Sequence, residues 1–152
     1  MKAQFLTLLF LASGIVISCN NDDNSNTINI ESTLIAKDNL FGNGSEGLSK
    51  QNMVITDQSI WDELITKMNT TNNESSNFSE VDIDFSEYLI IAIFDEIKTN
   101  GGHSLELNIF SNTENIIVKI TDLAPQGNAT TVMTQPYHIV KIPKTNLPIV
   151  FE

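Results

Sequence analysis

Arginine is missing from this sequence altogether, and cysteine occurs once, at Cys19. One cysteine excludes an internal disulfide, so any folded part must be held by an apolar core rather than by bridges. Positive charge is scarce: 8 lysines stand against 19 acidic residues, a formal net charge of -11. That balance argues against nucleic acid or anionic headgroups as partners, because phosphate recognition needs clustered cations. Solubility is the plain explanation of such acidity. Beyond the first residues no apolar run approaches the roughly 20 residues a spanning helix needs, and no internal repeat is visible.

What is present at the start is a signal. Met1-Lys2, the apolar stretch 5–17 and Ser18-Cys19 have the charged start, apolar centre and small-residue end of a secretory peptide. The cysteine at its end makes residues 1–18 a signal of the lipoprotein type and Cys19 the expected lipidation site; an uncleaved anchor or an ordinary signal peptide is the other reading. Acyl chains on Cys19 contribute about 0.8 kcal/mol per buried methylene, so a multiply acylated protein stays on a membrane. Residues 19–31 are asparagine-rich and too polar to bury anything, which makes them a flexible tether reaching roughly 20 Å. Residues 32–152 are expected to form a single domain.

That domain is organised around Tyr88-Leu89-Ile90-Ile91-Ala92-Ile93-Phe94. The run is too short to span a membrane and reads as a central strand buried on both faces. After the polar turn with Gly101-Gly102, Leu105, Leu107 and Ile109 alternate with polar residues, which predicts an antiparallel return beside it. Further strands are predicted at 34–36, 52–55, 116–121, 137–142 and 149–151, with Pro143 ending one of them. Thr56 or Asp57 can cap a helix whose Ile60, Trp61, Leu64, Ile65 and Met68 share one face, with Glu63 and Lys67 paired four apart on the other. Residues 69–79 and 124–131 read as exposed loops. The fold class is therefore mainly β (α+β): an antiparallel sheet, or a two-sheet sandwich, with one helix packed against it.

Several blocks together resemble a known family. They are Asp84-Phe85-Ser86, the apolar strand, Lys98-Thr99-Asn100-Gly101-Gly102-His103-Ser104, Ala124-Pro125 and Gln135-Pro136-Tyr137-His138-Ile139-Val140-Lys141-Ile142-Pro143. In order and spacing these resemble the C-terminal domain of PrcB, the protease complex subunit, over residues 81–144. The resemblance implies a lipid-anchored extracytoplasmic domain that associates with a secreted or surface protease complex without being the protease. His103 stands where that family usually has tyrosine. Asp22-Asp23 behind Cys19 resemble the acidic signal that sends bacterial lipoproteins to the cell surface, or form an ordinary solvated linker. The expected location is the bacterial cell envelope, at the outer membrane or cell surface.

Enzymatic chemistry finds little footing. Ser104 beside His103 is the only seed of a nucleophile–base pair, and neither a Gly-x-Ser-x-Gly elbow nor a His-Glu-x-x-His helix accompanies it. Asp82 and Asp84 alternate as in a calcium loop but lack the turn glycine. His138 shares a face with Val140 and Ile142 and reads as a core histidine. No enzyme activity, metal or other cofactor is expected. The expected partner is a protein, and the expected contact residues are Thr99, Asn100, Gly101, Gly102, His103, Gln135, Pro136 and Tyr137, on loops where bare glycines admit another backbone. The second functional expectation is a proteinase inhibitor acting through the Gly101-Gly102 loop, which loosely resembles that of chagasin-like inhibitors.

Overall fold

The computed structural model describes residues 27–152. The expected signal and the expected lipidation site, Cys19, lie outside the described residues. The chain forms two four-stranded sheets and one helix. Strands β2 (Thr33–Leu40), β3 (Gln51–Ile55), β4 (Tyr88–Phe94) and β7 (Gln135–Pro143) make an antiparallel sheet in the order β2-β7-β4-β3. Strands β1 (Ile28–Asn29), β5 (Ser104–Ser111), β6 (Ile116–Leu123) and β8 (Ile149–Phe151) make the other, in the order β1-β5-β6-β8, with β8 parallel to β6. Helix α1 (Gln58–Met68) covers the outer face of the first sheet. The result is three layers, helix on sheet on sheet.

The middle layer explains the apolar run. Ile90, Ala92 and Phe94 of β4 join the helix-side core with Trp61, Leu64 and Met68. The alternate residues Leu89, Ile91 and Ile93 join a second core with Leu105, Ile109, Ile116 and Val118 of the other sheet. Period-two alternation thus splits one strand between two cores, and an uninterrupted apolar sequence is what a strand covered on both sides requires. A bulge at Leu34/Ala36 lets Ile35 and Ala36 both join the helix-side core.

The helix forms as predicted, with Asp57 as N-cap accepting from the Ile60 N–H at 3.1 Å. Ile60, expected inside, is 41 % exposed. Among the described residues Glu63 and Lys67 form no ion pair; the exposed face instead carries Gln58 donating to Asp62 at 2.7 Å. Other expectations change more. β5 does not return beside β4, whose partners are β3 and β7. Residues 95–103 are no tight hairpin but a crossing that carries the chain to the second sheet. At the end of the chain β8 runs parallel to β6. The last part of the expected tether is structured: Ile28 and Asn29 pair with Ser111 and Phe110. The loop 69–79 contains a 3-10 turn at Glu74–Asn77 with Glu74 buried.

Polar links fasten the two sheets along one side. Lys37 of β2 pairs with Glu106 of β5, Asn39 Nδ2 donates to the His103 carbonyl at 3.1 Å, and His138 Nδ1–H donates to the Leu105 carbonyl at 2.9 Å. Burial pushes the His138 pKa down, and the nearby Lys37 acts in the same direction, against the Leu105 carbonyl and Glu106. A neutral folded histidine leaves the unfolded chain to take the proton first. Stability should therefore be full above about pH 6.5 and fall as the pH drops below it. His138→Asn, whose amide can keep the bond to Leu105, should flatten that fall in urea titrations compared at pH 7.5 and 5.5.

Candidate functional site

The antiparallel register brings three connections to one end of the sandwich. Leu40 at the end of β2 lies opposite Gln135 at the start of β7, Phe94 opposite Tyr137 and Gln51, and Leu123 opposite Ser104. Residues 41–50, 95–103 and 124–134 therefore share that end, and a short bridge between Lys98 and Thr134 joins the second to the third.

A compact ionic network braces them. Asp95 follows the last residue of β4 and is 3 % exposed, and its carboxylate meets Lys50 Nζ at 2.8 Å and Lys98 Nζ at 2.7 Å. Lys98 also reaches Glu96 at 3.2 Å and Asp122, on β6, at 3.0 Å. Burial alone would raise the Asp95 pKa, but hydrogen bonds from Lys50, Lys98 and the Glu96 N–H outweigh it and hold the group at about 2. Burial opposes the charge on Lys98, and Asp95, Asp122 and Glu96 overcome it, so its pKa is raised. One ammonium thus ties the 95–103 connection to the other sheet.

The residues singled out from the sequence separate into two groups. Thr99 and Gly102 are exposed, and Asn100 and His103 are half-buried, with His103 Nε2 3.2 Å from Asn100 Oδ1. Gly101, Gln135, Pro136 and Tyr137 are buried, which corrects their expected role as contact residues. Gln135 Nε2 donates to the carbonyls of Leu48 at 2.8 Å and Asp95 at 2.9 Å. The Pro136 carbonyl accepts from the Asp95 N–H at 3.0 Å, and the Tyr137 ring stacks on Phe94. These three side chains and backbones hold the loops in place from beneath.

The glycine pair makes room for this chain's own third loop. The Gly101 N–H donates to the Thr130 carbonyl, and a Cβ on Gly101 would stand 2.5 Å from Thr130 Oγ1. Gly102 has φ +87°, and a Cβ there would stand 2.8 Å from Pro125 Cβ. The bend is thus packed beneath residues 124–134 and does not project as a bare docking tip. Gly102→Ala should destabilise by about 1–2 kcal/mol or more, from the left-handed backbone and the contact with Pro125, measured as a lowered urea midpoint.

Among the side chains this end presents to solvent, beside polar ones, are large apolar residues. Phe41 is 54 % exposed, Val132 46 %, Met133 41 % and Ile97 38 %. They come from all three loops, and Ile97 Cδ1 lies over Gly44, where a Cβ would be 2.7 Å away. The sequence signal for them was the pair Val132-Met133 inside an otherwise polar loop.

Two carboxylates are buried at the first loop and beside it. Glu46 is 3 % exposed, and neither carboxylate oxygen has a hydrogen-bond partner among the described residues. Glu74 is buried too and accepts from the Tyr137 hydroxyl at 3.4 Å. Burial, then Asp38 and Glu46, push its pKa up. Asp84 is occupied locally, accepting from the backbone and hydroxyl of Ser86. Among the described residues no group of His, Cys, Asp and Glu is arranged to hold a metal ion, and no helix is long and apolar enough to cross a membrane.

These features define a β-sandwich with a braced, apolar-tipped loop end. No protein-family model, no curated protein and no solved structure matches the chain.

Proposed function

We infer that this chain is a non-enzymatic, lipid-anchored domain of the bacterial cell envelope that binds a protein partner through its loop end. The observation that carries the reading is the set Phe41, Ile97, Val132 and Met133, exposed on three loops that an ionic network and Gln135 hold rigid. Large apolar side chains grouped at the tip of a braced scaffold are the composition of a protein-binding patch. Both histidines are engaged structurally, His138 with the Leu105 carbonyl and His103 with Asn100, which supports a binding rather than a catalytic role. The resemblance to the PrcB C-terminal domain makes an extracytoplasmic protease complex the partner of choice, with Cys19 as the anchor.

Crosslinking in intact membranes, followed by purification, tests this. The wild-type chain should retain a protein partner that Phe41→Ser/Met133→Ser loses about tenfold or more. Recovery of the monomer alone, or of the same partner in equal amount with the wild-type chain and the variant, overturns it. Titration of the purified domain against papain-like and subtilisin-like proteases is the second arm, where stoichiometric loss of protease activity would replace the accessory role by inhibition.

A further inference from the structure

The sandwich is closed along one side and open along the other. β5 lies against β7 and β2, and β4 packs on β5 and β6 in the second core, whereas β3 contributes no residue to that core. The gap is a cleft of about 260 Å³ whose floor includes Ile93, Leu105 and Ile120 and whose wall includes Asn52 of β3. That volume is below the roughly 300–1,000 Å³ of sites for small organic ligands, and suits one long side chain. β3 is an edge strand, hydrogen-bonded within its sheet to β4 alone, with Val54 38 % exposed. A free strand edge beside a pocket for one side chain is the arrangement by which extended peptides are added to sheets.

Charge selects the side chain. Lys50 and Lys98 are both drawn to Asp95, and Asp122 shares Lys98 with Asp95 and Glu96. Glu152, also at the cleft, has no cationic partner among the described residues. The mouth therefore carries surplus negative charge above an apolar floor, on a chain of net charge -11. A side chain with an aliphatic stem and a cationic end matches both parts.

The geometry points to a peptide site: an extended segment of a partner protein pairs with the free edge of β3 and lays one lysine or arginine side chain into the cleft. This deepens the reading that the domain binds proteins, by naming a second contact and its chemistry. The test uses isotope-labelled protein and the peptide acetyl-Thr-Val-Lys-Val-Thr-amide, with versions carrying glutamate or norleucine in place of lysine. The lysine peptide should shift the amide signals of Asn52, Val54 and Ile120 and bind at least about tenfold more tightly than the glutamate version. Glu152→Gln, an exposed change that leaves the core intact, should weaken it about threefold.

Equal affinity for the lysine and glutamate peptides overturns the proposal, as does the absence of shifts at millimolar peptide. Shifts at β3 that grow with protein concentration and no peptide also overturn it, since a second copy then takes the edge. The Phe41→Ser/Met133→Ser variant separates the two readings. It should keep peptide binding even where it loses the crosslinked partner, so failure of the cleft and failure of the loop end give different patterns.

Discussion

Replacing Lys98 by methionine is expected to cost about 3–5 kcal/mol, the scale for removing one partner of a buried ion pair. The stem of the side chain is conserved, so the loss is chiefly that of the ammonium. Lys98 is 13 % exposed and contacts three carboxylates, and without it Asp95, 3 % exposed, keeps only Lys50, whose side chain is 66 % exposed. An exposed partner is screened and held weakly. Asp95→Asn should cost less, because Lys98 retains Glu96 and Asp122. Urea denaturation at pH 7 measures both, and a loss below about 1 kcal/mol for Lys98→Met would show that the carboxylates find solvent instead.

The pH dependence gives an independent readout. Asp95 is held at about 2, below its ordinary 3.8. A depressed carboxylate contributes stability that is complete above about pH 4 and is lost as the pH falls towards 2. In Lys98→Met that acid-sensitive range should move to higher pH, because the hydrogen bonds that lower the Asp95 pKa are fewer.

The strand at Tyr88–Phe94 was legible because seven apolar residues in a row leave no polar face. Its neighbours were not legible. Alternation along Leu105, Leu107 and Ile109 tells which face of β5 is buried, but not which strand lies beside it, and β4 pairs instead with β7, far along the chain. Helix α1 carried its own local signals in Asp57 and the Trp61 face, so it was placed almost to the residue. From the sequence, Gln135-Pro136-Tyr137 reads as a contact corner because loops held by a rigid sheet commonly carry function. Here the Gln135 amide satisfies two loop carbonyls, a role that only the assembled fold creates. The Lys98 cluster was hidden for the same reason: Lys50 and Asp122 lie on different strands and loops, and only Asp95 and Lys98, three apart, offered a local hint.

Trp61→Ala should destabilise by about 3–5 kcal/mol, the range for emptying a large aromatic site. Trp61 is fully buried in the helix-side core, its ring stacked on Phe78 with centroids 5.9 Å apart and its Nε1–H donating to the Val81 carbonyl at 2.9 Å. Truncation therefore leaves a cavity against β4 and an unpaired carbonyl together. Trp61→Phe keeps an aromatic ring in the site and should cost less, about 1–3 kcal/mol, mainly the hydrogen bond to Val81. Because domains of this size are stable by roughly 5–15 kcal/mol, the alanine variant should retain a fold with a much reduced margin. Hydrogen exchange locates the damage. Amides of β3 and β4 should exchange faster in Trp61→Ala while those of β5 and β6, which share the other core, change less. Uniform acceleration across both sheets would mean that the two cores unfold as one unit. A loss under about 1 kcal/mol would mean that the helix is not part of the cooperative core. A helix outside the cooperative core would leave the middle sheet held from one face alone, and the loop end with less of the rigidity on which it depends.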